Sequence, residues 1–181
     1  MAKLQIFLAD DHVVVREGLK TLINAQPDML VIGEAGDGES AWQQARECQP
    51  DIVIMDITMP RLNGVLATTR LKRACPLIKV LALSVHDDTS YLRQLLTAGA
   101  AGYVLKHAAP QELLQALQAA AKGGIYISRE IAAEVLAAPG QHTDRDPASG
   151  LTPRQREIIA LLVEGRSAKE IARLLDISHR T

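Results

Sequence analysis

Short apolar runs rich in β-branched residues alternate with longer amphipathic stretches through the first two thirds of the chain, and this alternation restricts the fold more than any other feature. Runs at 4–9, 29–35, 51–55, 79–83 and 102–105 read as strands. Between and after them, apolar positions at helical spacing predict helices over 14–25, 39–48, 64–73, 89–98 and 110–122, the last opening on Pro110. Strict alternation implies a parallel sheet with right-handed crossovers, because helices must cover both apolar faces. The expected fold is α/β, a doubly wound five-stranded parallel sheet.

In such a sheet, ligands bind beyond the carboxyl ends of the strands, where the strand order reverses. Asp10 and Asp11 follow the first run, Asp56 the third, Ser84 the fourth and Lys106 the fifth. Like-charged carboxylates held close raise one another's pKa unless a cation or proton joins them, so Asp10, Asp11 and Asp56 together suit a divalent metal. A carboxylate is a competent nucleophile toward phosphorus when the charge on the equatorial oxygens is neutralised. Mg²⁺ prefers a few carboxylates plus waters and phosphate oxygens to a full protein cage. Taken singly, these residues have plainer roles: Asp10-Asp11 as a helix cap, Ser84 as a strand-end hydrogen bond and Lys106 as a surface charge. Their alignment at one sheet edge favours a site.

Gly123-Gly124 ends the fifth helix, 125–127 is a short extended piece, and Ser128 caps a further helix running to about residue 136. Residues 138–150 contain Pro139, Gly140, Pro147 and Gly150 but no Leu, Ile, Val, Met or aromatic residue, the composition of a linker. Thr152-Pro153 then opens a helix striped by Ile158, Ile159, Leu161 and Leu162 and ended by Gly165. Ser167 caps another, with Glu170 as its capping-box partner and Ile171, Leu174 and Leu175 facing inward. Two short helices across a tight turn suggest the start of a helix-turn-helix.

Charge adds a weak signal in the same direction. The net charge is -1, but 151–181 carries 6 Lys/Arg against 4 Asp/Glu whereas 1–137 carries 13 against 15. With 48% apolar and 23% charged residues the chain reads as globular. No stretch approaches the ~20 apolar residues of a membrane span. Cys48 and Cys75 lack zinc-type spacing and suggest no disulfide framework, so a cytoplasmic setting is expected. His12, His86, His107, His142 and His179 share no ligand-like spacing, and none is assigned chemistry.

Asp56-Ile57-Thr58-Met59-Pro60-Arg61-Leu62-Asn63-Gly64, with Asp10-Asp11 upstream and Ser84 and Lys106 downstream, closely resembles the receiver domain of bacterial two-component response regulators over residues 1–122. Residues 151–181 resemble the first part of a LuxR-type helix-turn-helix domain. The whole chain is similar to the NarL/FixJ family. That resemblance implies a flavodoxin-like receiver over 1–122, a helical extension over 123–137, a flexible linker over 138–150 and, over 151–181, the N-terminal part of a LuxR-type DNA-binding domain without its recognition helix. It implies Asp56 as phosphoacceptor for a histidine kinase, with Asp10, Asp11, Asp56 and the Thr58 carbonyl holding Mg²⁺. Ser84 and Lys106 would bind the phosphoryl oxygens, Tyr103 would rotate inward on activation, and Pro60 and Gly64 would shape the loop. Promoter DNA, and a homodimer formed on phosphorylation, are the further partners it implies. In the family the recognition helix begins just after the segment matching 177–181, so its base-reading residues are expected beyond Thr181. Asp176 stands where the family usually has Gly, in a turn that Asp tolerates.

Two other readings stay open at this point. A receiver can act as a protein-interaction module without reading DNA. Gly36-Asp37-Gly38-Glu39-Ser40-Ala41 also fits the dinucleotide pattern G-x-G-x-x-A, with Asp56 about 20 residues on. That enzyme reading leaves Asp10-Asp11, Met59-Pro60 and Lys106 without a role.

Overall fold

The computed structural model describes residues 2–85, 89–137, 158, 161, 166 and 168–174. The expected linker over 138–150, the helix start at Thr152-Pro153 and the cap at Ser167 fall outside the described residues, as do His86, His142 and His179. The elements run β1 (Leu4–Ala9), α1 (Val13–Asn24), β2 (Met29–Ala35), α2 (Gly38–Cys48), β3 (Ile52–Asp56), α3 (Gly64–Ala74), β4 (Lys79–Ser84), α4 (Thr89–Thr97), β5 (Gly102–Leu105), α5 (Pro110–Ala121), β6 (Tyr126–Ile127), α6 (Arg129–Ala137) and α7 (Ala168–Leu174).

The strands form one sheet of order β2-β1-β3-β4-β5-β6, paired in parallel throughout. This is the doubly wound arrangement the alternation implies, with the order reversing between β1 and β3. The sheet holds six strands rather than five. The extended piece after Gly124 pairs with β5, Gly102 against Tyr126 and Tyr103 against Ile127, which gives its backbone groups partners that two residues could not supply alone.

Period-2 alternation sorts each strand's side chains onto two faces. Ile6 and Leu8 of β1 join Ile52, Ile54, Leu81 and Val104 beneath Ile23 of α1 and Leu113, Ala116 and Leu117 of α5. Phe7 and Ala9 join Val53, Met55 and Val80 beneath Ala41 and Ala45 of α2 and Ala67 and Leu71 of α3. A third cluster packs Leu92 and Leu95 of α4 and Ile131 and Ala132 of α6 against Ala82, Tyr103 and Leu105. These apolar clusters fix the sheet as a rigid floor. In α7, Ile171 is buried as expected, whereas Leu174, expected to face inward, is 60% exposed.

Candidate functional site

Two strand boundaries differ from the sequence reading in a way that matters for the site. β3 includes Asp56, paired with Leu83, and β4 includes Ser84, paired with Leu105. Both residues therefore stand on the last rung of the ladder and inherit its rigidity. Asp10 is one residue past β1, its N–H donating to Ala35 O at 3.1 Å. Lys106 is one past β5, its N–H donating to Ser84 O at 2.6 Å.

This placement draws the side chains together at the β1/β3 switch point. Lys106 Nζ lies 2.7 Å from Asp10 Oδ2 and 2.7 Å from Asp56 Oδ2, although Lys106 is 50 residues from Asp56 in sequence. Asp10 and Asp56 are buried, at 1% and 2% exposure, whereas Asp11 sits on the exposed rim. Asp10 Oδ1 accepts from His12 N–H at 2.8 Å, and Asp56 Oδ1 from Thr58 N–H at 3.1 Å. Arg16 Nη1 donates to the Asp10 carbonyl at 2.6 Å, securing the β1–α1 turn from the helix side. Ser84 and Tyr103 are fully buried.

Burial pushes the Asp56 carboxyl above the ordinary carboxylate range, and the Asp10 charge adds to this; the hydrogen bond and charge of Lys106 and the Thr58 N–H pull the other way without cancelling it. For Lys106 burial is again the largest single influence and favours the neutral amine. Its two carboxylate partners together outweigh it and hold the ammonium above its usual value. The site thus keeps a charged lysine beside a carboxylate whose negative charge is costly.

Ligand atoms of Asp10, Asp11, His12 and Asp56 lie within 4.8 Å of one another. Asp10 Oδ2 is buried and, the Lys106 ion pair apart, has no hydrogen-bond partner among the described residues. A hard oxygen with unused lone pairs, backed by two further carboxylates, fits a hard divalent cation. His12 is the member the sequence reading passed over. Its Nδ1 lies 2.9 Å from Asp11 Oδ1 and 3.1 Å from Asp10 Oδ1. The signal was present in its adjacency to the acidic pair, not in any spacing to another histidine.

The β3–α3 loop is shaped by close backbone approach. A Cβ on Gly64 would meet the Asp56 carbonyl at 2.0 Å, and Gly64 N–H donates to Ile57 O at 2.9 Å. Leu62 N–H donates to Pro60 O at 2.7 Å, a tight turn completed by Arg61 at φ 64°. Arg61 Nη1 then reaches Asp37 Oδ2 at 3.3 Å. The glycine pattern in 36–41 has a packing role: a Cβ on Gly38 would meet the Leu62 carbonyl at 1.9 Å, and Asp37 caps α2 by accepting from Ser40 N–H at 2.9 Å. This turn follows β2, the strand at the sheet's edge, one strand away from the switch point.

Comparison with known proteins follows the same outline. Residues 6–118 match the response regulator receiver domain, and residues 149–181 match the luxR family of bacterial regulatory proteins. The chain is 35% identical to the transcriptional regulatory protein DegU of Brevibacillus brevis over 99% of its length and 83% of DegU. It is 37% identical to the oxygen regulatory protein NreC of Staphylococcus haemolyticus, covering 98% of this chain and 85% of NreC. Among solved structures it is similar to a LuxR-family two-component response regulator from Aurantimonas sp. SI85-9A1, at TM-score 0.72 and 37% identity, over 75% of this chain and 96% of that one. The RcsB response regulator of Salmonella typhimurium aligns over 98% of this chain and 86% of its own at TM-score 0.71 and 26% identity.

Proposed function

The chain belongs to the two-component response regulators that join a receiver domain to a LuxR-type DNA-binding domain, and from that premise we propose that Asp56 is its phosphoacceptor, charged by a partner histidine kinase. The observation that carries this reading is the single ammonium of Lys106 set 2.7 Å from both Asp10 and Asp56. A phosphoryl group on Asp56 would arrive beside a charge already fixed to receive it.

In the transfer, an Asp56 carboxylate oxygen forms the new bond to phosphorus while the bond from phosphorus to the kinase histidine breaks, and the freed imidazole keeps the electron pair. Asp10, Asp11, Asp56 and the Thr58 carbonyl would hold Mg²⁺, which when bound supplies the charge neutralisation that phosphoryl oxygens need. Thr58 N–H and Lys106 orient the two Asp56 oxygens. The acyl phosphate adds about two negative charges and three acceptor oxygens. Lys106 and the Ser84 hydroxyl would answer them.

The domain plan that follows is a receiver over 1–122, a helical extension over 123–137, a linker over 138–150 and the N-terminal part of a LuxR-type output domain over 151–181. Ser84 and Tyr103 relay the phosphorylated state to the face formed by α4, β5 and α5, promoting a homodimer; promoter DNA is then the partner of the protein carrying the recognition helix that follows the segment matching 177–181. The luxR-family match over 149–181 favours this over a receiver acting purely through protein contacts. No helix among the described residues is long and apolar enough to cross a membrane, which accords with a cytoplasmic regulator.

The test is to expose wild type and Asp56→Asn to acetyl phosphate with Mg²⁺. An acid-stable, alkali-labile phosphoprotein mapping to Asp56 is expected; equal labelling of the variant would refute the assignment.

A further inference from the structure

The turn that carries Lys106 is held from outside the segment that matches the receiver family. Ser128 lies ten residues beyond the end of that match at 118, yet it is buried, at 2% exposure. Its N–H donates to the Tyr103 carbonyl at 2.9 Å, continuing the β5–β6 ladder by one rung. Its Oγ accepts from Leu105 N–H at 3.2 Å and donates to Glu112 Oε1 at 2.5 Å. Two residues on, Glu130 Oε2 meets His107 Nε2 at 2.9 Å. Leu105, just before Lys106, is thus held by the buried Ser128, while His107, just after it, meets Glu130 on the exposed surface.

We propose that Ser128 is a positioning residue for the phosphoacceptor site, holding the β5–α5 turn so that the Lys106 ammonium meets Asp56. This rests on the phosphoacceptor reading above. The hydroxyl is suited to the role because it alone can both accept from the Leu105 N–H and donate to the Glu112 carboxylate. Without it the buried Leu105 N–H loses its partner, an arrangement that proteins avoid by shifting backbone. Any such shift displaces Lys106, the next residue, and misplacement of a positioned group by about 1 Å can slow a reaction on the order of 100-fold. Ser128 also begins α6, its carbonyl accepting from Ala132 N–H at 3.0 Å. One residue therefore belongs both to the site and to the segment leading toward the output domain.

The experiment uses a matched pair in the full chain: Ser128→Thr keeps the hydroxyl, whereas Ser128→Val has the same shape without it. Labelling of Asp56 by acetyl phosphate with Mg²⁺ is timed for both, alongside amide exchange at Leu105 and thermal unfolding. The expected result is a Thr variant within about twofold of wild type and a Val variant slowed roughly tenfold, with faster Leu105 exchange. Equal rates for the two variants, whether both fast or both slow, would overturn the proposal. Absence of labelling in wild type would instead overturn the phosphoacceptor reading, and Leu105 exchange would still report on the Ser128 contact by itself.

Discussion

Replacing Lys106 with Met removes the ammonium from between Asp10 and Asp56 while keeping most of the side-chain stem. Both carboxylates are almost fully buried and Lys106 is itself only 10% exposed, so solvent screening cannot make good the loss. Removing one partner of a buried ion pair costs about 3–5 kcal/mol, because the charge left behind is uncompensated. Asp56 can relieve part of this by taking up a proton, which puts the cost near the lower end, at about 3 kcal/mol. For a domain of this size that corresponds to a fall in Tm of roughly 10 °C.

The pH dependence makes the reasoning sharper. Burial already raises the Asp56 pKa, and Lys106 is the main influence opposing that rise. In Lys106→Met the carboxyl rises further, so its protonation should rescue the variant as the pH is lowered from neutral into the mildly acidic range. Thermal unfolding followed by circular dichroism across that range, in the presence of a chelator, is the assay. The gap between variant and wild type should narrow on acidification, and Lys106→Met/Asp56→Asn should recover most of the lost stability. A gap that stays constant with pH, or one that the second substitution leaves unchanged, would refute the account.

Asp56→Asn alone should raise Tm at neutral pH: a raised folded pKa favours folding below the unfolded carboxylate value of about 3.9, and that advantage is lost as pH rises through the folded value. Asp37 behaves oppositely. Its pKa is lowered, first by the Ser40 N–H, so its stabilisation is present above the unfolded value and lost as pH falls through the folded one. Asp37→Ala should cost about 1 kcal/mol at neutral pH through the lost α2 cap, measured by denaturant unfolding. Gly64→Ala should destabilise by about 1–3 kcal/mol, since the added Cβ would sit 2.0 Å from the Asp56 carbonyl, and should slow Asp56 labelling as well. Adding Mg²⁺ at about 100 times its Kd should stabilise wild type by about 2.7 kcal/mol in a thermal-shift assay, with Asp11→Asn blunting the effect.

Asp10, Asp56 and Lys106 come together because each lies at the end of an apolar run that the sequence shows, and a parallel sheet converts that local position into proximity. Residues whose partners are set by tertiary packing are not legible in that way. Ser128 reads locally as a helix cap, and its backbone does begin α6, but its hydroxyl serves Leu105, 23 residues away. β6 has two residues, too few to show a period, and becomes a strand only because β5 offers it a ladder. Gly38 helps 36–41 imitate a nucleotide-binding turn because close packing and phosphate approach both require a missing Cβ. The Leu62 carbonyl filling the space at Gly38, together with the turn's place after the edge strand β2, tells the two apart.

The brevity of β6 has a bearing on how copies of this chain can meet. A border strand of two residues exposes too little unsatisfied backbone to recruit a neighbour by strand addition, and so blunts the flank that β5 would otherwise present. Self-association through that flank would then rest on the helices beside it, matched face to face, rather than on added strands.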